Sequence, residues 1–479
     1  MTLPPGWRLR LDPGVRRIDG GTVLVGGAPL RILRLTAAGA TIIDGFAAGE
    51  AIGAGPGRQQ LARRLLDAGA AHPSPGPTDR TPSEVTIVVP HLGDPEELAV
   101  TLAALGPAAR TIVVDDASPD RDGVAAVAER HGAELVRLDR NAGPAAARNA
   151  GWRIATTELV AFVDRGCVPA AGWLEALLPH LDDPDVAIAA PRITSLVDPG
   201  LGRALAAYER ARPSLDRGPD EAIVRPRSRV PFVPSTTLLA RRADLHEVDG
   251  FDEALRVGED VDLVWRLAER GRTVRYVPTA VVAHRSRDST GAWLRQRFDY
   301  GTSAAPLAAR HGTAVAPVAV NPWTAAAWGL EAAGVPLLGT LVAAGSTAAL
   351  APKLSGLAHP WPEAARLAGL GNVFAGRAIA DALRRPWWPF AVGAAVVSRR
   401  ARRAVAVAAV VPPLVEWVQE RPPLDPVRWL GLRLADDVAY GAGVWAGCVR
   451  ARSFGALRPD LTSWPGRRRA VETTAGSDP

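Results

Sequence analysis

Acidic residues in this 479-residue chain stand where short apolar runs stop. Asp115 and Asp116 follow Ile112-Val113-Val114, and Asp164 follows Val160-Ala161-Phe162-Val163. Further on, Glu259 and Asp260 open the stretch Glu259-Asp260-Val261-Asp262-Leu263-Val264-Trp265-Arg266-Leu267. Between the first two sites lies Arg140-Asn141-Ala142-Gly143-Pro144-Ala145-Ala146-Ala147-Arg148-Asn149-Ala150-Gly151. A single aspartate at the end of an apolar run is explained by helix capping. The ordered set asks for more. Carboxylates accept hydrogen bonds from ring N–H groups and hydroxyls, and one beside an acceptor hydroxyl can take its proton. The planar fork of Arg148 meets a carbonyl edge or a phosphate. Gly143 and Gly151 permit close backbone approach where a loop enters a helix.

Such residues need a scaffold that ends several strands side by side. Residues 85–89, 111–114, 134–138 and 159–163 are short β-branched runs, with amphipathic helical segments such as 96–105 and 124–130 between them. The alternation predicts an α/β fold, a mostly parallel sheet covered by helices. Ligands of such sheets bind at the carboxyl ends of the strands, where these residues fall. The unit is expected to span 84–311, after a linker at 73–83 that begins in His72-Pro73-Ser74-Pro75-Gly76-Pro77.

The succession Val88-Val89-Pro90, Val113-Val114-Asp115-Asp116-Ala117-Ser118, the Asn141–Gly151 stretch, Phe162-Val163-Asp164, and Val248-Asp249-Gly250-Phe251-Asp252-Glu253 followed by Gly258-Glu259-Asp260 resembles the family 2 glycosyltransferases. The resemblance implies the GT-A nucleotide-diphospho-sugar transferase fold, with a Rossmann-like mixed sheet. It implies an inverting enzyme in which Asp260, beside Glu259, takes the proton of the acceptor hydroxyl as that oxygen attacks the anomeric carbon. It places Pro90, Asp115, Asp116, Ser118, Arg148, Asn149 and Asp164 on a UDP-sugar. Trp265, Arg266, Trp293, Arg295 and Arg297 are candidates for the acceptor or the diphosphate, and Asp164 with His284 for a divalent metal, Mg²⁺ or Mn²⁺.

One motif departs from the family. The family usually shows D-x-D at the end of the fourth strand, whose second Asp binds the cation. Here the residues are Asp164-Arg165-Gly166-Cys167. A hard cation favours carboxylate oxygens, and Gly166 supplies none. Three arrangements stay open: the metal is held by Asp164, His284 and the diphosphate; Arg165 stabilises the leaving diphosphate instead; or activity is weakened, in the limit to a nucleotide-sugar-binding scaffold without turnover.

Residues 1–72 read as a small winged-helix-like unit, with strands at 22–27 and 31–35 and helices at 36–46 and 59–69. The stretches 29–39 and 61–73 resemble PqqD-type peptide-binding domains. That resemblance implies a leader-peptide or peptide-carrier partner, bound by strand pairing. Residues 312–479 are apolar, Arg-rich and helical in pattern. The uncharged run 332–352 is long enough to span a bilayer. Trp387, Trp388 and the arginines of 399–403 would suit its interface; the alternative is a buried hairpin in a soluble unit. The whole order, with Arg297-Phe298-Asp299-Tyr300-Gly301-Thr302-Ser303-Ala304-Ala305-Pro306-Leu307, resembles the mycofactocin system glycosyltransferases of actinobacteria. It implies transfer of hexose, glucose from UDP-glucose, to the peptide-derived redox cofactor mycofactocin or its precursor, building a short oligosaccharide. The expected location is the cytoplasmic side of the cell membrane, peripheral or anchored, with the cytoplasm as alternative. A cell-envelope rhamnosyl or galactofuranosyl transferase acting on a lipid-linked acceptor is the other enzyme reading.

Composition narrows the field. The net charge is +6, yet the sole lysine is Lys353, so the positive charge is almost all arginine. No basic run interleaved with aromatics precedes the last third, and no nucleic-acid partner is expected. Two cysteines exclude a disulfide framework and a four-Cys zinc site, and fit a reducing compartment. The N-terminus has no apolar h-region and is not read as a signal peptide.

Overall fold

The computed structural model describes residues 2–461. The chain divides into two compact units at Trp293 and Leu294. The first opens with β1 (Arg8–Leu11), β2 (Arg16–Ile18), β3 (Val23–Gly26), β4 (Arg31–Arg34), α1 (Ala37–Ala47), α2 (Pro56–Asp67) and β5 (Ala71–Ser74). Strands β2, β3 and β4 form an antiparallel sheet, and β1 pairs with β5. Thr36 caps α1, its hydroxyl accepting from Gly39 N at 3.1 Å. Leu24, Leu33, Ile43, Phe46, Leu65 and Leu66 close the core. Two strands were expected here and five are present. His72–Ser74 is not linker but strand, with Pro73 opposite Leu9. A two-strand ribbon tolerates Pro73 because a proline's missing N–H can face outward at an edge. Arg63 of α2 forks onto Asp183 at 2.9 and 2.7 Å and reaches Asp185 at 3.2 Å. Arg225 donates to the carbonyl of Asp67 at 2.7 Å.

The remainder of this unit carries β6 (Val85–His91), α3 (Pro95–Leu105), β7 (Arg110–Asp115), α4 (Arg121–Arg130), β8 (Glu134–Arg137), α5 (Pro144–Ile154), β9 (Leu159–Val163), β10 (Cys167–Pro169), α6 (Trp173–Leu177), β11 (Val186–Leu196), α7 (Arg203–Ala211), β12 (Ala222–Ile223), β13 (Thr237–Arg241), α8 (Arg242–Glu247), α9 (Glu259–Glu269) and β14 (Thr273–Arg285). The sheet order is β10-β14-β11-β13-β9-β6-β7-β8, with β12 beside β14. Strands β9, β6, β7 and β8 are mutually parallel; β13 enters antiparallel between β9 and β11. The sheet is therefore mixed, as the family resemblance implied. Every residue of β6 and of β9 is buried, which their unbroken apolar runs demand. Ile87 and Val89 pack in the cluster that holds Leu98 and Leu102 of α3. Val88 points the other way, at Gly151 of α5. The chain thus winds away from β6 over one face and returns to β9 over the other. The crevice at the carboxyl ends of β6 and β9 is the switch point at which open α/β sheets bind ligands.

A helix, α10 (Thr290–Thr302), runs across the division into the second unit, followed by α11 (Ala304–His311), α12 (Pro322–Ala332), α13 (Pro336–Leu350), α14 (Pro360–Arg384), α15 (Trp388–Val397), α16 (Arg399–Glu420) and α17 (Pro426–Arg450). The division falls earlier than the boundary expected at residue 311. Ala304 and Ala305 share a core with Val444 and Cys448, and Arg297 pairs with Asp436 at 3.2 Å, so this stretch belongs with the helices after it. Among the described residues Pro336–Leu354 is the one helical stretch long and apolar enough to cross a membrane, and 17% of its apolar window is buried. Leu337 and Val397 of the apolar segments, and Phe374 between them in sequence, are exposed in this unit. Cys167 and Cys448 are buried free thiols.

Gly151 offers a direct test of this packing. A Cβ there would lie 2.3 Å from Val88 Cγ1 and 3.1 Å from Val114 Cγ2, both on fully buried strand residues. Alanine gains about 1 kcal/mol of helix propensity over glycine, but overpacking a rigid core costs ~1–3 kcal/mol. Gly151→Ala is expected to lower the urea midpoint of the first unit; an unchanged or raised midpoint would contradict the close approach.

Candidate active site

A cleft of about 430 Å³ opens at that switch point. Its walls include Pro90 and His91 at the end of β6, Asp116 after β7, Asn141, Gly143 and Arg148 around the start of α5, Asp164 after β9, and His284 with Arg285 at the end of β14. Arg148 organises the floor. Its Nη1 donates to Glu259 Oε1 at 2.9 Å and its Nη2 to Asp164 Oδ1 at 2.7 Å, while the guanidinium lies 5.4 Å from the centroid of the Phe251 ring. Arg148 is 3% exposed. Burial alone would favour losing its proton, but the charges of Asp164 and Glu259 outweigh that and hold its pKa above the ordinary arginine value. Asp164 shows the opposite balance: burial raises its pKa in spite of Arg148.

Asp260 sits beside this knot, in the first turn of α9. Its Oδ1 accepts from Val261 N at 2.8 Å and its Oδ2 from Ser235 N at 3.3 Å. Burial, and then the adjacent charge of Glu259, push its pKa up to about 7. It does not line the cleft itself; Glu259 and Arg148 connect it to Asp164.

The two aspartates at the end of β7, Asp115 its last residue and Asp116 the next, hold the loops. Asp115 is fully buried, accepting from Ser118 N at 2.9 Å and Arg137 Nε at 2.9 Å. Asp116 accepts from the amides of Ala142 and Gly143 at 2.6 and 2.8 Å, which fixes the entry to α5. Ser118 Oγ accepts from Gly93 N at 3.0 Å.

Several expected binders lie elsewhere. Asn149 faces away from the cleft: it donates to Phe251 O and Glu253 Oε1 and accepts from Phe251 N and Trp152 Nε1. A buried amide with four satisfied partners is a clamp, not a ligand contact. Trp265 is 5% exposed and donates to Pro231 O at 2.8 Å. Arg266 pairs with Asp262 at 2.7 Å and ties down the carbonyls of Val248 and Gly250. Trp293 is 1% exposed, bonded to Glu209 at 2.8 Å and edge-on to Tyr208. Arg297 is buried within the second unit; Arg295, also there, is exposed. His284 does line the cleft, directly across from Cys167. Burial, then the charges of Arg287 and Arg165, lower its pKa to about 4, so its ring is neutral. Arg256, Arg285 and Arg287 also form the walls and were not singled out from the sequence. Their signal was adjacency: Arg256 precedes Gly258-Glu259-Asp260 by one residue, and Arg285 and Arg287 flank Ser286 after His284.

These residues do not fit a hard divalent cation. Among the described residues no group of three or more His, Cys, Asp or Glu side chains could hold one. Asp164 is tied to Arg148, Asp116 to backbone amides, and Gly166 stands in the left-handed region at φ 77° with no donor side chain.

The mixed sheet and its cleft define a GT-A transferase architecture. Residues 86–247 match the family described as Glycosyl transferase family 2. The chain is 40% identical over 477 residues to the pre-mycofactocin glycosyltransferase of Mycobacterium tuberculosis, covering 96% of this chain and 98% of that one. It is 34% identical over 126 residues to the N-acetylglucosaminyl-diphospho-decaprenol L-rhamnosyltransferase of the same species, covering 26% of this chain and 40% of that one. Among solved structures, the mannosyltransferase PcManGT from Pyrobaculum calidifontis, in complex with GDP-Man and Mn²⁺, gives a TM-score of 0.38 at 19% identity, covering 73% of this chain and 89% of that one. The chain belongs to the mycofactocin system glycosyltransferases of family 2.

Removing the guanidinium of Arg148 leaves Glu259 and Asp164 without their buried counter-charge. Arg148→Met is expected to destabilise the first unit by ~3–5 kcal/mol, the usual cost of stripping one partner from a buried ion pair. Urea unfolding measures it; a change below about 1 kcal/mol would mean the knot is solvated rather than buried.

Proposed function

We propose that the cleft binds a nucleoside diphosphate sugar, UDP-glucose by family resemblance, and that Asp260 is the base for transfer of its hexose to mycofactocin or its peptide-derived precursor. The observation that carries the reading is the chain Asp164–Arg148–Glu259–Asp260, which ties the cleft to a carboxylate poised to exchange a proton near neutrality. The name of the Mycobacterium tuberculosis relative supports the acceptor.

In the step proposed, the acceptor oxygen forms a bond to the anomeric carbon and its proton passes to Asp260. The bond from that carbon to the β-phosphate oxygen breaks, and its electron pair leaves with the diphosphate. One displacement inverts the carbon. Repetition with a sugar hydroxyl as acceptor would build the short oligosaccharide.

The partners follow the same reading. Strands β2 and β4, at the edges of the N-terminal sheet, would take a leader peptide or carrier as an added strand. The exposed apolar side chains of the second unit, with Arg399, Arg400, Arg402 and Arg403, suit the cytoplasmic face of a membrane.

Asp260→Asn is expected to cut turnover by about 10²–10⁴-fold while UDP binding is retained; full transfer in the variant would sink the assignment. Because the base must be ionised, wild-type kcat/KM should rise with pH and level off above about 7. A flat profile between pH 5 and 8 would place the base elsewhere. Mass analysis of products from peptide-derived and polyprenyl-linked acceptors, each offered with UDP-glucose, separates the cofactor pathway from envelope chemistry.

A further inference from the structure

We infer that arginine side chains, led by Arg287 and Arg165, hold and discharge the diphosphate in this cleft, so that transfer needs no divalent cation. The inference rests on the nucleotide-sugar reading above and concerns the end of the donor that leaves.

The walls of the cleft carry five arginines, Arg148, Arg165, Arg256, Arg285 and Arg287, against three carboxylates. All three carboxylates are engaged. Asp164 is held by Arg148, Asp116 by two backbone amides, and Glu97 by Arg165. Apart from Arg148, which holds Asp164 and Glu259, the arginines are less committed. Arg287 is exposed and its guanidinium has no hydrogen-bond or ion-pair partner among the described residues. Arg256 makes one long contact with Asn141 at 3.4 Å, and Arg285 lies 3.9 Å from Asp198. Arg165 keeps further donors beyond the one it gives to Glu97.

The place where the family's cation would sit is next to Gly166. The carbonyl of Gly166 accepts from Arg285 N at 3.1 Å, and residue 167 lies opposite His284. Arg165, Gly166, His284 and Arg287 all line this corner of the cleft. A dication placed there would meet two positive side chains and no carboxylate without a partner of its own. A diphosphate would meet two planar donors of opposite charge. When the sugar leaves, the β-phosphate gains one negative charge, which guanidiniums stabilise by charge-assisted hydrogen bonds.

The test reads binding first and turnover second. Calorimetry on the full chain, stripped with EDTA, compares UDP, GDP and uridine, with and without added Mn²⁺. The expected result is UDP bound at least about tenfold tighter than uridine in EDTA, changed less than about twofold by Mn²⁺. Arg287→Ala should erase that advantage while leaving uridine affinity alone, and lower EDTA-insensitive turnover by about a hundredfold; Arg287→Lys should restore part of both. Since Arg287 is exposed, the fold is not at stake. If UDP binding or turnover appears only when Mn²⁺ or Mg²⁺ is added, or if Arg287→Ala matches the wild type, the inference is overturned and the nucleotide-sugar reading stands. If neither UDP nor GDP binds under either condition, that reading fails and the inference with it.

Discussion

The guanidinium of Arg148 is the interaction on which the site depends. It joins a residue at the end of β9 to one in the first turn of α9, which are far apart in sequence. A buried arginine is costly alone, and so are two buried carboxylates. The guanidinium offsets the burial cost of both carboxylates. Arginine suits this position because its two terminal nitrogens each serve one carboxylate, which the single ammonium of a lysine does not reproduce. The consequence is that Asp260 is placed by a charge balance and not by loop sterics alone.

Much of this was legible beforehand because strand ends are written in short runs. A β-branched run closing on Asp115 or Asp164 fixes both the strand and the point where the chain leaves the sheet. The family's order of motifs then supplied the mixed sheet, and Asp164, Arg148, Glu259 and Asp260 do come together. What was not legible is direction. Asn149 lies one residue after Arg148, and one step along a helix turns a side chain by about 100°; it faces Phe251 and Trp152 instead of the cleft. Trp293 and Arg297 carry the residue types expected of sugar and phosphate sites, but their partners Glu209 and Asp436 give no warning in the sequence. Arg256, Arg285 and Arg287 were hidden in a chain whose positive charge is nearly all arginine, where composition cannot separate a useful guanidinium from a background one.

The two aspartates at the end of β7 divide the labour. Asp115 and Asp116 spend their acceptors on the protein's own N–H groups, Arg137 among them. They make the cleft's rim rigid before any ligand arrives, which lowers the entropy lost on binding. Such carboxylates are indistinguishable from ligand contacts in sequence, since both need an aspartate at a strand end.

The fork from Arg63 onto Asp183 has a different consequence. Asp183 is fully buried, and its counter-charge comes from the N-terminal part of the chain. The loop before β11 therefore carries a carboxylate whose forked partner belongs to α2, beside the amide of Asp185. A gene shortened to start at the linker would encode a protein in which Asp183 keeps the amide of Asp185 and loses its forked guanidinium. The N-terminal segment is thus a structural support of the transferase part as well as its neighbour, and detaching it as an independent module would carry a folding penalty that neither part shows alone.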